Sequence, residues 1–423
     1  KMNKRVIQVE ERPPLLQSIP LSFQHLFAMF GASVLVPMLF GIEPSTVLLL
    51  NGIGTLLFII ITKGRIPSFL GSSFAFLSPT FVILASQGYS AALGGFVASG
   101  IVFMVVALIV KYAGIKWIDV VFPPAAMGAI VAIIGLELAP VAAKMAGLVL
   151  DTNNPDLYMN PKVLLVSIVT LAIVVIGSVI FRGFLGIIPI LIGIIGGYLL
   201  SLSLGIVNFE SIGKAGFFEI PTFYKPVFSI SAIITILPAT LVVIAEHISH
   251  LIVTSNIVGR DLAKDPGLHR SLMGDGISTT LSGLLGSVPT TTYGENIGVM
   301  AITKVYSVWV IGGAAVISII ISFFGKLSAG IQTIPQPVMG GVSLLLFGII
   351  AASGLRMLVE SKVDYSKPKN LVLTSVVLVI GLSGAHVQLG TVQLTGMTLA
   401  TMLSIVVSIL FKVFEVTGLM NEE

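Results

Sequence analysis

The sequence predicts an all-α polytopic membrane protein with about fourteen transmembrane segments. Composition is the first reason. Hydrophobic residues make up 55% of the 423 and charged residues only 10%, whereas soluble domains carry about 25% charged residues. The chain has no cysteine, which excludes disulfides, thiolate metal sites and cysteine nucleophiles. Its net charge of +4 comes without a basic run, so no nucleic-acid partner is expected.

The spacing of apolar stretches is the second reason, because a helix needs roughly 20 apolar residues to cross a bilayer. Two segments, 71–87 and 288–304, are shorter and are interrupted by Gly, Pro, Ser and Thr. Counting both as crossings gives the total of about fourteen. The uninterrupted stretches are 18–40, 45–62, 92–110, 123–140, 163–181, 184–206, 231–256, 267–286, 309–325, 335–354, 370–386 and 394–414.

The distribution of Lys and Arg is the third reason. With the N-terminus inside, these crossings place most of the 23 basic residues on the cytoplasmic side, as the positive-inside rule requires. Segments 1–17 and 416–423 are then cytoplasmic, and no cleavable signal peptide is expected in the first. Linker 141–162, expected to be non-helical, and loop 207–229 lie outside. The basic residues placed outside are Lys144, Lys162, Lys214, Lys225 and Lys326.

An internal repeat is visible in the sequence. Residues 122–128, FPPAAMG, resemble residues 334–340, IPQPVMG, and the two interrupted segments have a similar separation. Halves of seven segments each have opposite orientations in the membrane, which is the inverted repeat of many secondary transporters. The predicted halves are 18–230 and 231–415. Chance similarity of two Pro-Met-Gly strings is the alternative.

The interrupted segments read GSSFAFLSP at 71–79 and SVPTTTYGEN at 287–296. β-Branched and hydroxylated residues followed by Gly or Pro disfavour a continuous helix. Each segment is expected to run extended and then begin a short helix, whose free N–H groups and partial positive charge suit a polar solute. Unwound backbone at membrane depth must be buried in protein or line a cavity. A simple loop between two complete helices is the alternative.

Carboxylates in apolar surroundings mark the candidate site, because a charge in hydrocarbon is costly. Glu246 and His250 are four residues apart and share a helix face, whereas His247 points elsewhere. Burial disfavours the charged form of Glu246, so this residue is expected to exchange a proton. Glu295 follows Gly294 at the start of the second short helix, where a carboxylate is favoured. A purely structural role remains the alternative for each of these side chains.

Other polar residues in the spans are less informative. Glu137 lies near a span end and is expected to reach the outer interface. Gln24 and His25 are either functional or a polar contact between helices, and Asp275 is left without a role. No metal-ligand or cofactor motif is present, and no HExxH or Ser-His-Asp set supports an intramembrane enzyme.

Two carboxylates with backbone donors and few cations suit a neutral solute with N–H donors and C=O acceptors on one edge. The rings of Phe74, Tyr293 and Phe347 provide contacts for a planar solute. A nucleobase or another cyclic imide fits, and so does a small amide. An anion such as sulfate would need a cation near the half-helix ends, and Lys304 is the only nearby candidate.

Residues 295–304, ENIGVMAITK, and the Gln24-His25 pair resemble the signatures of the nucleobase–ascorbate transporter (nucleobase:cation symporter) family. The resemblance covers essentially the whole chain. The AEHxxH and TTYGEN strings are most similar to its bacterial uracil-transporting branch, whose members are proton symporters. Purine and xanthine permeases share much of the signature. This resemblance implies a transporter for uracil and protons in a bacterial cytoplasmic (inner) membrane.

The resemblance also implies two inverted seven-segment repeats, with short antiparallel strands pairing in segments 3 and 10. A core domain would comprise 18–122 and 231–333, and a gate domain 123–230 and 334–415. No cofactor beyond the coupling proton is implied, and a homodimer is compatible with the architecture.

For the site, the resemblance implies that Glu246 and Glu295 hydrogen-bond the pyrimidine ring. Backbone groups near Phe74 and Gly294, in the stretch that includes Ser73, would hold its carbonyls, and His250 would join Glu246 in proton coupling. The pocket would be shaped by Ala32, Tyr293 and Phe347. Phe347 departs from the family pattern, which has Tyr there, so a hydrogen bond from a hydroxyl at that position is lost.

Overall fold

The computed structural model describes residues 5–421. The outermost positions of the predicted cytoplasmic segments, 1–4 and 422–423, lie outside the described residues. The elements of the first half are α1 (Leu15–Phe40), α2 (Pro44–Ile61), β1 (Leu70–Ser72), a 3-10 turn (Phe74–Phe76), α3 (Leu77–Ser86), α4 (Tyr89–Ala113), α5 (Lys116–Val121), α6 (Pro124–Glu137), α7 (Ala139–Met145), α8 (Pro161–Ile180), α9 (Pro189–Ser203) and α10 (Glu210–Lys214).

The second half repeats this mixture of long helices and short interrupted segments. Its elements are α11 (Ile230–Val258), a π turn (Ala263–Gly267), α12 (Leu268–Leu285), β2 (Thr290–Thr292), α13 (Gly294–Thr303), α14 (Val308–Ser322), α15 (Gly325–Gln332), α16 (Gln336–Glu360), α17 (Pro368–Leu382), β3 (His386–Leu389), β4 (Val392–Thr395) and α18 (Gly396–Thr417).

Proline and glycine set many of the helix ends. Proline occupies the first turn of α2, α6, α8, α9, α16 and α17, where its missing N–H leaves no intrahelical bond unmade. Gly41, Gly259 and Gly286 adopt the left-handed conformation immediately after α1, α11 and α12, which ends a helix without a Cβ clash. These signals explain why the observed ends lie close to the predicted ones.

The protein is a multi-pass membrane protein. Within residues 5–421, eight helices are long and apolar enough to cross a membrane. Shorter apolar helices lie at Phe74–Ser86, Pro189–Ser203, Val308–Ser322 and Pro368–Leu382. The total of about fourteen crossings and the inverted orientation of the two halves stay predictions. The long apolar helices are Leu15–Phe40, Pro44–Ile61, Tyr89–Ala113, Pro124–Met145, Pro161–Ile180, Ile230–Val258, Gln336–Glu360 and Gly396–Thr417.

Three connecting regions differ from the sequence-based expectation. Linker 141–162 is not wholly non-helical, because α7 extends to Met145 and a 3-10 turn covers Pro155–Leu157. Loop 207–229 contains α10. Between α17 and α18 the chain forms a β-hairpin, in which β3 pairs antiparallel with β4 from His386↔Thr395 to Leu389↔Val392. Its two-residue turn contains Gly390 at φ +64°, the conformation that tight hairpin turns require.

The helices pack in two groups. The core group comprises α1–α4 and α11–α14, and the gate group comprises α6–α9 and α16–α18. Glycines allow the closest approaches: a Cβ on Gly100 of α4 would overlap Thr280 of α12, and one on Gly135 of α6 would overlap the Phe347 carbonyl of α16. Small residues at such crossings let apolar helices pack without a hydrophobic driving force. The two groups meet where α11 contacts α6 and α18 and where α1 contacts α9.

Candidate functional site

The two interrupted segments meet in an antiparallel strand pair. β1 pairs with β2 in the register Leu70↔Thr292, Gly71↔Thr291 and Ser72↔Thr290. The ladder continues at both ends, because the Tyr293 N–H donates to the Phe69 carbonyl (3.0 Å) and the Ser73 N–H donates to the Pro289 carbonyl (2.9 Å). Every strand residue is buried. The expected pairing of segments 3 and 10 is confirmed, and a simple loop between complete helices is excluded.

Tyr293 packs against this strand pair and hydrogen-bonds to β1. Its hydroxyl donates to the Ser72 carbonyl (3.0 Å) and lies 3.4 Å from the Ser33 hydroxyl of α1. The ring covers Gly71 so closely that a Cβ on Gly71 would overlap its carbons. Tyr293 is only 3% exposed. The structure therefore places this predicted pocket residue beneath the strands as a support for β1.

We expect Gly71→Ala to destabilise the protein strongly. The added methyl group has no space between the strand and the fixed Tyr293 ring, and overpacking of this kind costs roughly 1–3 kcal/mol or more. Thermal unfolding in detergent should show a lower midpoint for this variant. Gly330→Ala is the matched control, because a Cβ there meets nothing within 4 Å. Equal midpoints for the two variants would contradict this packing.

Helix α11 brings its carboxylate and a histidine to the end of the strand pair. The His250 Nδ1 lies 3.0 Å from the Thr292 hydroxyl, and its Nε2 lies 3.5 Å from where a Cβ on Gly294 would be. Glu246 lies one turn earlier on α11, which packs against α13, the helix that carries Glu295 in its first turn. Both carboxylates are half-buried rather than sealed. The structure thus brings together Glu246, His250, Gly294 and Glu295, which the sequence predicts as one site.

The start of α13 supplies backbone donors to this site. The helix begins at Gly294, and no side chain among residues 5–421 caps the N–H groups of its first turn. Such groups have no intrahelical partner and carry a partial positive charge. Nearby, the Ser73 and Thr291 hydroxyls are buried without a hydrogen-bond partner among residues 5–421. A polar ligand with carbonyl acceptors would satisfy donors at this position.

Phe74 and Phe347 form the aromatic side of the site. Their ring centroids are 5.9 Å apart and their planes make an angle of 76°, an edge-to-face arrangement typical of stable aromatic pairs. Phe74 belongs to the core group side and Phe347 to α16 of the gate group, so the pair spans the boundary. Ala32 is buried on α1, which packs on β1 and α13.

A buried polar network that the sequence did not predict lies behind the site. The His247 Nδ1 is 3.0 Å from the Asp275 carboxylate, and its Nε2 is 2.6 Å from the Ser271 hydroxyl. The Thr290 hydroxyl donates to Asp275 (3.2 Å). His247 and Asp275 are fully buried. The network ties α11, which carries Glu246, to the first residue of β2, which leads to Glu295. An acid inside MGDGIS was the only signal for it.

A second polar contact joins α1 to α13. The Asn296 side-chain amide donates to the His25 carbonyl (3.1 Å) and lies 3.2 Å from the His25 Nδ1. His25 is 1% exposed. The side-chain oxygen of Gln24, Oε1, is buried without a hydrogen-bond partner in the described chain. His25 therefore holds the short helix that carries Glu295. Over residues 5–421, no group of three or more His, Asp or Glu side chains is placed to hold a metal ion.

Interrupted helices that meet inside a helical membrane protein with acidic side chains nearby are typical of transporters. The chain belongs to the Permease family (Xan_ur_permease), whose model matches residues 16–390. It is a transporter and not an enzyme.

Two full-length relatives are uracil permeases. The Escherichia coli (strain K12) protein is 62% identical over 416 residues, which cover 98% of this chain and 96% of the relative. The Paenibacillus larvae protein is 60% identical over 421 residues and covers 100% of both chains. The family predicted from residues 295–304 is therefore confirmed.

Solved structures with this fold have low sequence identity to this chain. The transmembrane domain of the cyanobacterial bicarbonate transporter BicA is 13% identical with a TM-score of 0.66, covering 96% of this chain and 100% of that one. The murine anion transporter Slc26a9 in its inward-facing state is 10% identical with a TM-score of 0.69, covering 96% of this chain and 69% of that one. These likenesses show the fold alone.

Proposed function

We propose that this protein is a proton-coupled uracil symporter, which imports uracil as the core group and the gate group move against each other. The observation that carries the proposal is the packing of α11, with Glu246 and His250, against the open N-terminus of α13, which carries Glu295. Full-length relatives named uracil permease, 47% to 62% identical, support the substrate. The bacterial inner membrane, cytoplasmic termini and a homodimer belong to the proposal as expectations.

The chemistry of uracil matches the groups at the site. Its ring carries two N–H donors and two carbonyl acceptors, and carboxylates accept N–H groups. Glu246 and Glu295 would accept from the ring, while free N–H groups near Gly294 and after Ser73 would donate to its carbonyls. The Phe74 and Phe347 rings would flank the planar heterocycle. Each polar edge of the ligand is thereby paired, as burial requires.

Proton coupling follows from placing two carboxylates in one half-buried site. Their negative charges repel each other, so a proton on Glu246 relieves the repulsion. If proton and uracil both stabilise the same conformational state, each raises the affinity for the other by the same factor. His250 holds β2 through Thr292 and lies one turn from Glu246. A change of charge at Glu246 would therefore act on His250 and, through Thr292, on the strand that leads to Gly294 and Glu295.

An anion substrate fits the site less well. Bicarbonate and anion transporters share the fold, but an anion would meet two carboxylates here. Lys304 follows the last residue of α13, roughly 15 Å from its first turn at 1.5 Å per residue. Xanthine and other purines present a similar polar edge and are the closer rivals.

Uptake into proteoliposomes tests the proposed function. With an imposed inward proton gradient, radiolabelled uracil should accumulate, and a protonophore should abolish the accumulation. Excess unlabelled uracil should compete, while xanthine, sulfate and ascorbate should not. Liposomes without protein give the background. Accumulation that survives the protonophore would refute proton coupling, and stronger competition by xanthine or sulfate would refute the substrate assignment.

A further inference from the structure

Glu137 is a carboxylate in the membrane-spanning region that the transport scheme above does not use. It is the last residue of α6 in the gate group. Its sequence position predicts that it reaches the outer interface, and the structure places its side chain against α3 and the start of α18. Its Oε1 accepts a hydrogen bond from the Ser78 hydroxyl (3.0 Å), and Ser78 lies on α3 of the core group. The bond therefore crosses the boundary between the two groups.

The surrounding chain is shaped to keep this carboxylate in place. A helix C-terminus is unfavourable for an anion, yet Glu137 sits at the end of α6. The N-terminus of α18 compensates, because its first residue, Gly396, lies directly against the carboxylate and a helix N-terminus favours an anion. A Cβ on Gly396 would overlap the Glu137 Oε1, and Gly396 has φ +47°. Glycine is therefore required at this position, both by the backbone and by the contact.

The contact lies next to the aromatic pair. Ser78 follows Phe74 by four residues, about one helical turn, and Phe74 meets Phe347 across the same boundary. An apolar pair and a polar pair therefore join the core group to the gate group on the α3 side of the site. Along α13, by contrast, Gly294, Gly298 and Ala301 are exposed and Ile302 is 59% exposed, and the helices packed on α13 are α1 and α11 of the core group.

We propose that Glu137 and Ser78 form a latch that holds the core group against the gate group on the α3 side of the substrate site. The latch closes when the site opens along α13, and it must break for the site to open on the α3 side. This inference rests on the proposed alternating access. Glu137 is a positioning residue in this role, because nothing places it against the substrate.

Distance measurement between two spin labels tests the latch directly. The native chain has no cysteine, so spin labels attach only at cysteines that are introduced. The two labelled positions are Ser86→Cys, at the exposed end of α3, and Ala139→Cys, at the exposed start of α7. Double electron–electron resonance then reports how far the core group and gate group separate on this side.

Ser78→Ala and Glu137→Ala are introduced one at a time into the labelled protein. Each should raise the ratio of separated to closed molecules by about tenfold, because each removes one hydrogen bond to a charged group. Glu137→Gln keeps an acceptor oxygen and should have a smaller effect. Two matched controls should leave the distribution unchanged. Ser353→Ala removes an exposed hydroxyl whose one hydrogen bond within residues 5–421 is to the Ile350 carbonyl of the same helix, and Glu360→Gln alters an exposed pair with Arg356.

The outcomes separate the latch from the proposed function. An unchanged distance distribution in Ser78→Ala, in a protein that transports uracil, would overturn the latch and leave the proposed function standing. Failure of the unlabelled protein to bind or transport uracil would overturn the proposed function itself. If Glu137→Ala does not fold, Ser78→Ala decides, because it removes only a partly buried hydroxyl. The affinity of the closed Ser78→Ala variant for uracil should stay within about threefold of that of the unmodified protein, because the contacts with uracil are unchanged.

Discussion

Replacement of Glu295 by alanine should abolish most uracil binding. The carboxylate lies in the first turn of α13, where it would accept N–H groups of the ligand beside the backbone donors. Without it the ligand N–H groups would be buried unpaired, and a lost hydrogen bond to a charged group costs about 1.5–3 kcal/mol before that penalty. The dissociation constant should therefore rise by about 100-fold or more. Calorimetric titration in detergent measures it.

The control for Glu295→Ala is Glu360→Ala, which removes an exposed carboxylate paired with Arg356 on the same helix. It should bind uracil as the unmodified protein does. Thermal unfolding of both variants separates a lost contact from a lost fold. If Glu295→Ala is folded and binds uracil with unchanged affinity, Glu295 does not belong to the site.

Replacement of Glu246 by glutamine separates uracil movement from proton movement. The amide keeps the length and one acceptor oxygen of the side chain, but it cannot take up a proton at pH 7. Its neutral side chain would also reduce the negative charge of the proposed site. The variant should exchange labelled for unlabelled uracil across a membrane, yet fail to accumulate uracil under a proton gradient. The accumulation ratio should fall to about one, because coupling requires a group that binds the proton.

Counterflow measures the exchange of uracil, and gradient-driven uptake in the same proteoliposomes measures its accumulation. Ser249→Ala on the neighbouring position of α11 is the control and should retain accumulation. The coupling role of Glu246 is wrong if Glu246→Gln still concentrates uracil and a protonophore collapses the concentration. Loss of exchange and accumulation together, in a folded variant, would instead make Glu246 a binding residue only.

The long helices could be predicted because hydropathy and helix-end residues act locally. Proline in the first turn and glycine after the last turn mark ends that depend on backbone sterics alone. The interrupted segments could be predicted for the same reason, since Gly71 and the Thr290–Thr292 run oppose a continuous helix in any context. The separation of His247 from the Glu246–His250 face followed from helix geometry and is confirmed by its bond to Asp275.

The remaining features depend on contacts between distant parts of the chain. Asp275 and Thr290 meet His247 only after α11, α12 and β2 pack together, so no local pattern marks them. Tyr293 lies behind the strands because Gly71 leaves space for its ring. The Glu137 side chain lies against the start of α18 because Gly396 leaves space for it. The β3–β4 hairpin did have a local signal, the alternating HVQL and VQLT strings around Gly390, which the hydropathy of the flanking spans concealed.

An experimental map of the protein with uracil bound would show whether the two carboxylates form the substrate site. We expect density for the heterocycle at the junction of β1, β2 and the start of α13, within hydrogen-bond distance of both Glu246 and Glu295 and beside Phe74. Uracil bound elsewhere, or at that junction with neither carboxylate in contact, would contradict it.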